Sequence, residues 1–311
     1  MTPYISIVIP VYNEEGNLAS LFDRLYPVMQ QMAKPFEIIF TDDGSRDSSL
    51  AILTELAARH PEVRVVEFNG NFGQHMAIMA AFEVSRGEIV ITLDADLQNP
   101  PEEIPKLVAE MERGHDVVGS IRQKRQDTFF RKTASMMVNI ITRKMTGMKM
   151  SDYGCMLRAY RRNVVDNINR CQETTTFIPA LAQTFAASPS EVPVAHAERS
   201  EGESKYSLYK LIRLNFDLMT GFSVVPLQLF ALMGVLTSLF AVAFAIFLLV
   251  RRFIVGAEVE GVFTLFAILF FFMGITIFGI GIVGEYVGRI YQEVRRRPRY
   301  VVRKVHGVNN E

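Results

Sequence analysis

Two carboxylates stand one residue apart at the end of an apolar run. Ile89-Val90-Ile91-Thr92-Leu93 leads directly into Asp94-Ala95-Asp96-Leu97-Gln98 and then Asn99-Pro100-Pro101. If the chain stays extended past the run, alternate side chains share one side, which would gather Asp94, Asp96 and Gln98. Two such acids repel each other and call for a positive partner. A hard divalent cation, bound through oxygen and shared with substrate phosphates, suits them. A solvated turn is the competing reading, because Asp, Asn and Pro also build turns. Polar residues end two other apolar runs: Asn13-Glu14 follows the run at 4–9, and Asp42-Asp43 follows the run at 36–41.

These acids need strands behind them. Apolar, β-branched runs predict strands at 4–9, 36–41, 63–68, 89–93 and 116–119. Pro10 closes the first. Asn13 is the expected cap of a helix whose apolar face is Leu18, Leu21, Phe22 and Leu25. Ser45 or Asp47 is the expected cap of a second helix through Ala58, and a third runs from the Asn69-Gly70-Asn71-Phe72-Gly73 turn to about Ser85. The alternation implies an α/β fold with a mostly parallel sheet and helices on both faces. In such sheets ligands lie beyond the carboxyl ends of the strands. There the loops would collect Asn13, Glu14, Asp42, Asp43, Asn71, Asp94 and Asp96. Neither Gly-x-Gly-x-x-Gly after the first strand nor a phosphate loop of the Gly-x-x-x-x-Gly-Lys type occurs. A nucleotide at this edge would have to be held by acidic side chains and a metal, with an Asp accepting a base N–H or a ribose hydroxyl.

Lys+Arg and Asp+Glu balance at 33 each in the 311 residues, so the total charge offers nothing to a polyanion such as nucleic acid. Cys155 and Cys171 give neither a disulfide framework nor metal-ligand spacing. His75, His115, His196 and His306 are scattered and read as structural or surface residues; His75, just after the Asn71 turn, is the exception worth watching. The opening Met1-Thr2-Pro3-Tyr4 carries no basic, apolar leader pattern.

Residues 224–250 and 261–284 contain no charged side chain, and each exceeds the ~20 residues that cross a bilayer. Lys205, Lys210 and Arg213 precede the first. Arg289, Arg295, Arg296, Arg297, Arg299, Arg303 and Lys304 follow or end the second. The positive-inside rule then places both flanks in the cytoplasm. The expected organisation is a cytoplasmic domain at 1–206, an interfacial amphipathic helix at 207–223, a transmembrane hairpin at 224–284 and a basic cytoplasmic tail at 285–311.

Three segments stay open on the residues alone. Residues 131–146 read as a helix with a Met/Ile strip beside Arg131, Lys132, Arg143 and Lys144, fit for a bilayer interface or a core face. Asp152, in the stretch 151–158 that reads as a turn feeding a strand, either faces the site or caps the turn. Beyond a strand at 191–197, the polar loop 198–206 is either a connector or a phosphate clamp using Arg199 and Lys205.

Ser6-Ile7-Val8-Ile9-Pro10-Val11-Tyr12-Asn13-Glu14-Glu15, Asp42-Asp43-Gly44-Ser45 and Asp94-Ala95-Asp96-Leu97-Gln98 resemble, in order and spacing, the inverting family 2 glycosyltransferases of GT-A fold. The Gly202-Glu203-Ser204-Lys205-Tyr206 loop and the two C-terminal spans are similar to the polyprenyl-phosphate branch. Within it, Asn71-Phe72-Gly73-Gln74-His75, the stretch 97–105, Arg122-Gln123-Lys124-Arg125-Gln126-Asp127 and the stretch 152–162 resemble bacterial transferases that place 4-deoxy-4-formamido-L-arabinose on undecaprenyl phosphate in lipid A modification and cationic-peptide resistance. Asn69-Gly70-Asn71 departs from relatives, where a basic residue is common. The resemblance implies a UDP-sugar donor, an undecaprenyl phosphate acceptor, a Mg2+ or Mn2+ cofactor and a multi-pass protein of the bacterial inner membrane. It implies that Asp94, Asp96 and Gln98 handle metal and diphosphate. Pro10, Tyr12, Asn13, Glu14, Asp42 and Asp43 would hold the nucleotide, and Arg131 would contact the diphosphate. Arg199, Ser204 and Lys205 would contact the lipid phosphate. Asp152 takes the position of the catalytic acid, with Asp96 as the second catalytic residue. A processive polysaccharide synthase would carry a Trp-containing acceptor motif, and this chain has no Trp. Oligomeric state stays open, a homo-oligomer included.

Overall fold

In the computed structural model the described residues are 2–122, 155–171, 177–195, 224–255, 262–295 and 297–307. They fall into two compact units: a sheet unit holding all of them up to 195 together with 297–307, and a helical unit holding 224–255 and 262–295.

The sheet unit opens with β1 (Ile5–Val11), α1 (Glu15–Gln31), β2 (Phe36–Asp42), α2 (Ser49–Arg59), β3 (Val63–Phe68), α3 (Gln74–Val84) and β4 (Ile89–Thr92). A 3-10 turn at Pro101–Glu103, α4 (Ile104–Glu112), β5 (Val117–Arg122), β6 (Arg158–Arg161), α5 (Arg162–Arg170), α6 (Ile178–Phe185) and β7 (Pro189–Val194) follow. β8 (Val302–His306) comes last, after the helical unit. Among the described residues, eight strands form one sheet in the order β7-β5-β6-β4-β1-β2-β3-β8.

The expected parallel core is present: β4, β1, β2 and β3 run side by side in parallel, and so do β5 and β7. The sheet is mixed rather than uniformly parallel, because β6 runs antiparallel between β4 and β5, and β8 runs antiparallel on β3. Ile5 through Ile9 are all fully buried. A strand buried on both faces must be covered by helices on both. Fully burying such an aliphatic side chain is worth about 1.5–3 kcal/mol. α1 contributes Leu18, Leu21, Phe22 and Leu25 at helical spacing, as read from the sequence, and α4 contributes Ile104, Leu107, Val108 and Met111.

Residues 302–306, expected as part of a separate basic tail, return to the sheet. Glu67 of β3 is nearly buried, and it accepts His306 Nε2 at 2.9 Å and Arg303 at 3.2 Å. A buried acid on an otherwise open strand draws a cationic strand onto itself.

Asn13 does not cap α1. Its φ of 54° turns the chain away, and its Oδ1 accepts the amide of Arg46 at 2.8 Å instead. Nor does Ser45 or Asp47 occupy the cap position of α2, which is Ser48; Asp47 accepts the next amide, of Ser49, at 3.0 Å. The expected helix at 131–146, the turn at 151–154, the loop at 198–206 and the interfacial helix at 207–223 lie outside the described residues.

The helical unit consists of α7 (Val225–Val255) and α8 (Val262–Val294). Both contain stretches long and apolar enough to cross a membrane, Leu227–Leu248 and Ile268–Val294. Most of the unit's large apolar side chains are exposed, which in water would be a large uncompensated cost.

Candidate active site

β2, β1 and β4 are adjacent and parallel, so their carboxyl ends open side by side. The loops beyond them are laced together. Asn13 donates its amide to Ser45 Oγ at 3.1 Å, Glu14 to Ser49 Oγ at 2.9 Å, and Glu15 to Asp47 Oδ2 at 3.2 Å. Glu15 in turn accepts the amide of Ser48 at 2.8 Å. The β1–α1 and β2–α2 loops therefore form one rigid rim carrying Pro10, Tyr12, Asn13 and Glu14, with Tyr12 exposed.

Asp42 and Asp43 stand at the end of β2, both buried, and do different work. Asp42 Oδ2 accepts the amide of Ser45 at 3.2 Å, while Oδ1 is buried with no hydrogen-bond partner among the described residues. Burial raises its pKa despite that hydrogen bond. An orphaned, buried acceptor facing a ligand edge suits an incoming N–H or hydroxyl. Asp43 is already satisfied: its carboxylate accepts the amides of Phe72 at 2.6 Å and Gly73 at 2.8 Å, so it shapes the turn before α3. Gly44 joins the same structure with φ +71°; a Cβ there would meet the Gly70 carbonyl carbon at 2.6 Å.

Asp94, Asp96 and Gln98 were expected to gather on one side of an extended chain. The chain does not stay extended. β4 ends at Thr92, Leu97 adopts φ 60°, and Asp96 Oδ1 accepts the amide of Gln98 at 3.1 Å, closing a turn. Asp94 Oδ1 accepts Gln74 Nε2 at 2.7 Å and Oδ2 accepts Asn99 Nδ2 at 3.3 Å. Cys155 Sγ lies 3.4 Å from Asn99 Oδ1 and steadies that amide. Burial first, then the charge of Asp96, pushes Asp94 up to about 7; Glu14 adds to the push and Arg122 opposes it. Glu14, Asp94, Asp96 and Arg122 therefore share one electrostatic site. Gln98 enters through its backbone.

The pair fits a hard cation. Its donors are oxygen only, and a dication would relieve the repulsion that raises Asp94. Among the described residues no three acid, imidazole or thiol side chains gather into a complete cage. Coordination would have to be shared with a ligand. Arg131, Asp152, Arg199, Ser204 and Lys205 lie outside the described residues. Gln74 and Asn99 were not singled out as site residues from the sequence. Neutral amides carry no charge signature, although both sit in polar turns beside the acids they hold.

A profile described as Glycosyl transferase family 2 matches residues 6–168. The chain is similar to proteins called undecaprenyl-phosphate 4-deoxy-4-formamido-L-arabinose transferase. The one from Yersinia enterocolitica is 52% identical over 97% of this chain and 94% of the relative. The one from Pectobacterium atrosepticum is 53% identical over 96% and 93%. Among solved structures, glucosyl-3-phosphoglycerate synthase from Mycobacterium tuberculosis, in complex with Mn2+, UDP and glucosyl-3-phosphoglycerate, superposes with a TM-score of 0.52. It is 20% identical and covers 70% of this chain and 78% of that one, a likeness of fold. With the family profile spanning the strands and loops that build the site, and relatives matching nearly end to end, the chain belongs to glycosyl transferase family 2.

Proposed function

We propose that this glycosyltransferase moves 4-deoxy-4-formamido-L-arabinose from UDP to undecaprenyl phosphate, with inversion, in the lipid A modification that confers resistance to cationic peptides such as polymyxin. The observation that carries the reading is the near full-length similarity to relatives of that name, joined to the acid pair at the mouth of β4.

Asp42 offers its unpartnered oxygen to the uracil, and Pro10, Tyr12, Asn13 and Glu14 wall the nucleotide. Asp43 acts indirectly, by fixing the turn that leads to Gln74. Asp94 and Asp96, with Gln98 beside them, would hold Mg2+ or Mn2+. Such a cation neutralises charge growing on the leaving diphosphate. Arg131, on the sequence resemblance, contacts that diphosphate, and Arg199, Ser204 and Lys205 orient the acceptor. A lipid phosphate is mostly ionised near neutral pH, its second pKa being about 6. Asp152 therefore needs only to position the nucleophile or act as a weak base. Attack from the face opposite UDP inverts the anomeric carbon.

In this reading the catalytic domain at 1–206 is completed by β8, an interfacial helix lies at 207–223, a hairpin spans at 224–250 and 261–284, and 285–311 returns to the cytoplasm of a bacterium, beneath its inner membrane. Sheet strands occur in the chain both before the hairpin and after it, as β8. An even number of crossings satisfies that connectivity.

The test is a donor panel. Purified full chain, undecaprenyl phosphate and Mn2+ are incubated with UDP-4-deoxy-4-formamido-L-arabinose, its unformylated counterpart and UDP-glucose. UDP release with formation of an inverted lipid-linked product should be fastest with the formylated sugar. Faster transfer of glucose would overturn the donor assignment, and no lipid-dependent UDP release with any donor would overturn the acceptor.

A further inference from the structure

A cavity of about 370 Å3 lies within the sheet unit, at the start of α3. Gly73, Gln74 and His75 line one side, and Arg297 and Arg299 the other. Its donors lack partners. Nδ1 of His75 and Nη1 of Arg299 are both buried, and neither has a hydrogen-bond partner among the described residues. Burial lowers His75 to about 4, so the ring is neutral and offers one N–H, at Nδ1 in one tautomer.

The neighbouring carboxylates are engaged elsewhere. Asp43 accepts the amides of Phe72 and Gly73, and Asp94 accepts the side chain of Gln74. Among the described residues neither Arg297 nor Arg299 has an ion pair. α3 begins at Gln74, and the opening amides of a helix have no carbonyl within it to bond. They also carry the positive end of the helix dipole. Two guanidinium groups and one imidazole N–H, with no anion bonded to them among the described residues and with Asp43 already engaged at the turn before α3, leave room for one ligand. Arg297 follows Val294, the last residue of the second apolar span, by three positions. Basic residues just outside a span commonly meet anionic headgroups.

We propose that this cavity binds a phosphate group, presented by an anionic lipid headgroup or free in solution, through Arg297, Arg299, His75 and the first amides of α3. The site shares Gln74 with the acid pair, because that residue lines the cavity and also holds Asp94.

The test is hydrogen exchange on the full chain in phosphatidylcholine vesicles, following peptides that cover 74–77 and 297–301. Three conditions at equal ionic strength are compared: chloride alone, added inorganic phosphate, and phosphatidylglycerol mixed into the bilayer. Exchange in both peptides should slow at least about threefold with phosphate in one form or the other. Slowing by phosphatidylglycerol identifies a headgroup as a source, and slowing by inorganic phosphate alone identifies a soluble one. The double variant Arg297→Gln with Arg299→Gln should exchange at the chloride rate in all three. If that variant unfolds, Arg297→Gln alone, at an exposed side chain, should still reduce the effect. Equal exchange in all three conditions for the unmodified chain, or undiminished slowing in the variants, would overturn the site.

Discussion

Gln74 donates its side-chain amide to Oδ1 of Asp94 at 2.7 Å, so the first residue of α3 holds the first acid beyond β4. Asn99 holds the other oxygen at 3.3 Å. Both partners are uncharged. A lysine in either place would fix Asp94 equally well and would cancel the charge that a cation needs. The amides orient the carboxylate while leaving its charge and its remaining lone pairs available.

Gln74→Ala should therefore weaken the cation rather than the fold. A hydrogen bond to a charged group is worth about 1.5–3 kcal/mol, so Mn2+ affinity and turnover are expected to fall roughly tenfold or more. Mn2+ titration followed by electron paramagnetic resonance reads this directly. Unchanged Mn2+ affinity in the variant would remove Gln74 from this role.

Cation binding should be pH-dependent, with a sign set by Asp94. Its carboxyl is pushed up to about 7, so protons and the metal compete for it near neutrality. Mn2+ affinity should rise from pH 6 to pH 8 and level off above. Asp96→Asn should flatten that profile, because the neighbouring charge is gone, and should lower turnover at least about a hundredfold with the melting temperature preserved. Full turnover by Asp96→Asn would eliminate the acid pair from catalysis.

Gly44 and Gly114 both have positive φ, +71° and +103°, but only Gly44 is crowded. Gly44→Ala meets the Gly70 backbone at 2.6 Å and should disrupt both the Asp42–Asp43 turn and donor binding. Gly114→Ala, in open space, should cost about 1 kcal/mol and leave the donor KM alone. Thermal melts with donor kinetics on the two variants decide the matter; equal effects would mean that conformational strain, rather than contact, dominates at Gly44.

His75 should make the sheet unit acid-sensitive. Its pKa falls from 6.5 to about 4 on folding, because burial disfavours the charged ring. Between those values the unfolded chain takes up a proton that the native chain refuses. The contribution is complete above pH 6.5 and disappears as pH falls toward 4, an amount of about 3 kcal/mol. Denaturant titrations at pH 7 and pH 4.5 should show a smaller acid loss in His75→Gln than in the unmodified chain.

Much of this was legible in the residues. β3 falls at 63–68 as read, because Val63, Val65 and Val66 sit between a proline turn and Asn69-Gly70. The apolar face of α1 followed from spacing alone. What stayed hidden is instructive. The acids at 94 and 96 converge through a left-handed Leu97, and leucine gives no hint of that conformation. Asn13 spends its side chain on a neighbouring loop, a partner 33 positions away that no local capping rule contains. β8 escaped notice because Arg303, Lys304 and His306 make it read as a charged tail; only the nearly buried Glu67 across the sheet explains those charges. The parallel core, in contrast, follows from strand–helix alternation, and the antiparallel β6 depends on a long connection whose course the sequence does not encode locally.

β8 also sets a schedule. The outer side of β3 waits for residues synthesised only after two long apolar helices. Until then the nascent catalytic half carries an open seam of unmet backbone groups, of the kind that recruits other chains. Premature termination just ahead of Val302 would leave the anchor intact and the seam permanently unclosed. The codons for Val302–His306 thus act as a checkpoint on whether the enzyme matures or aggregates.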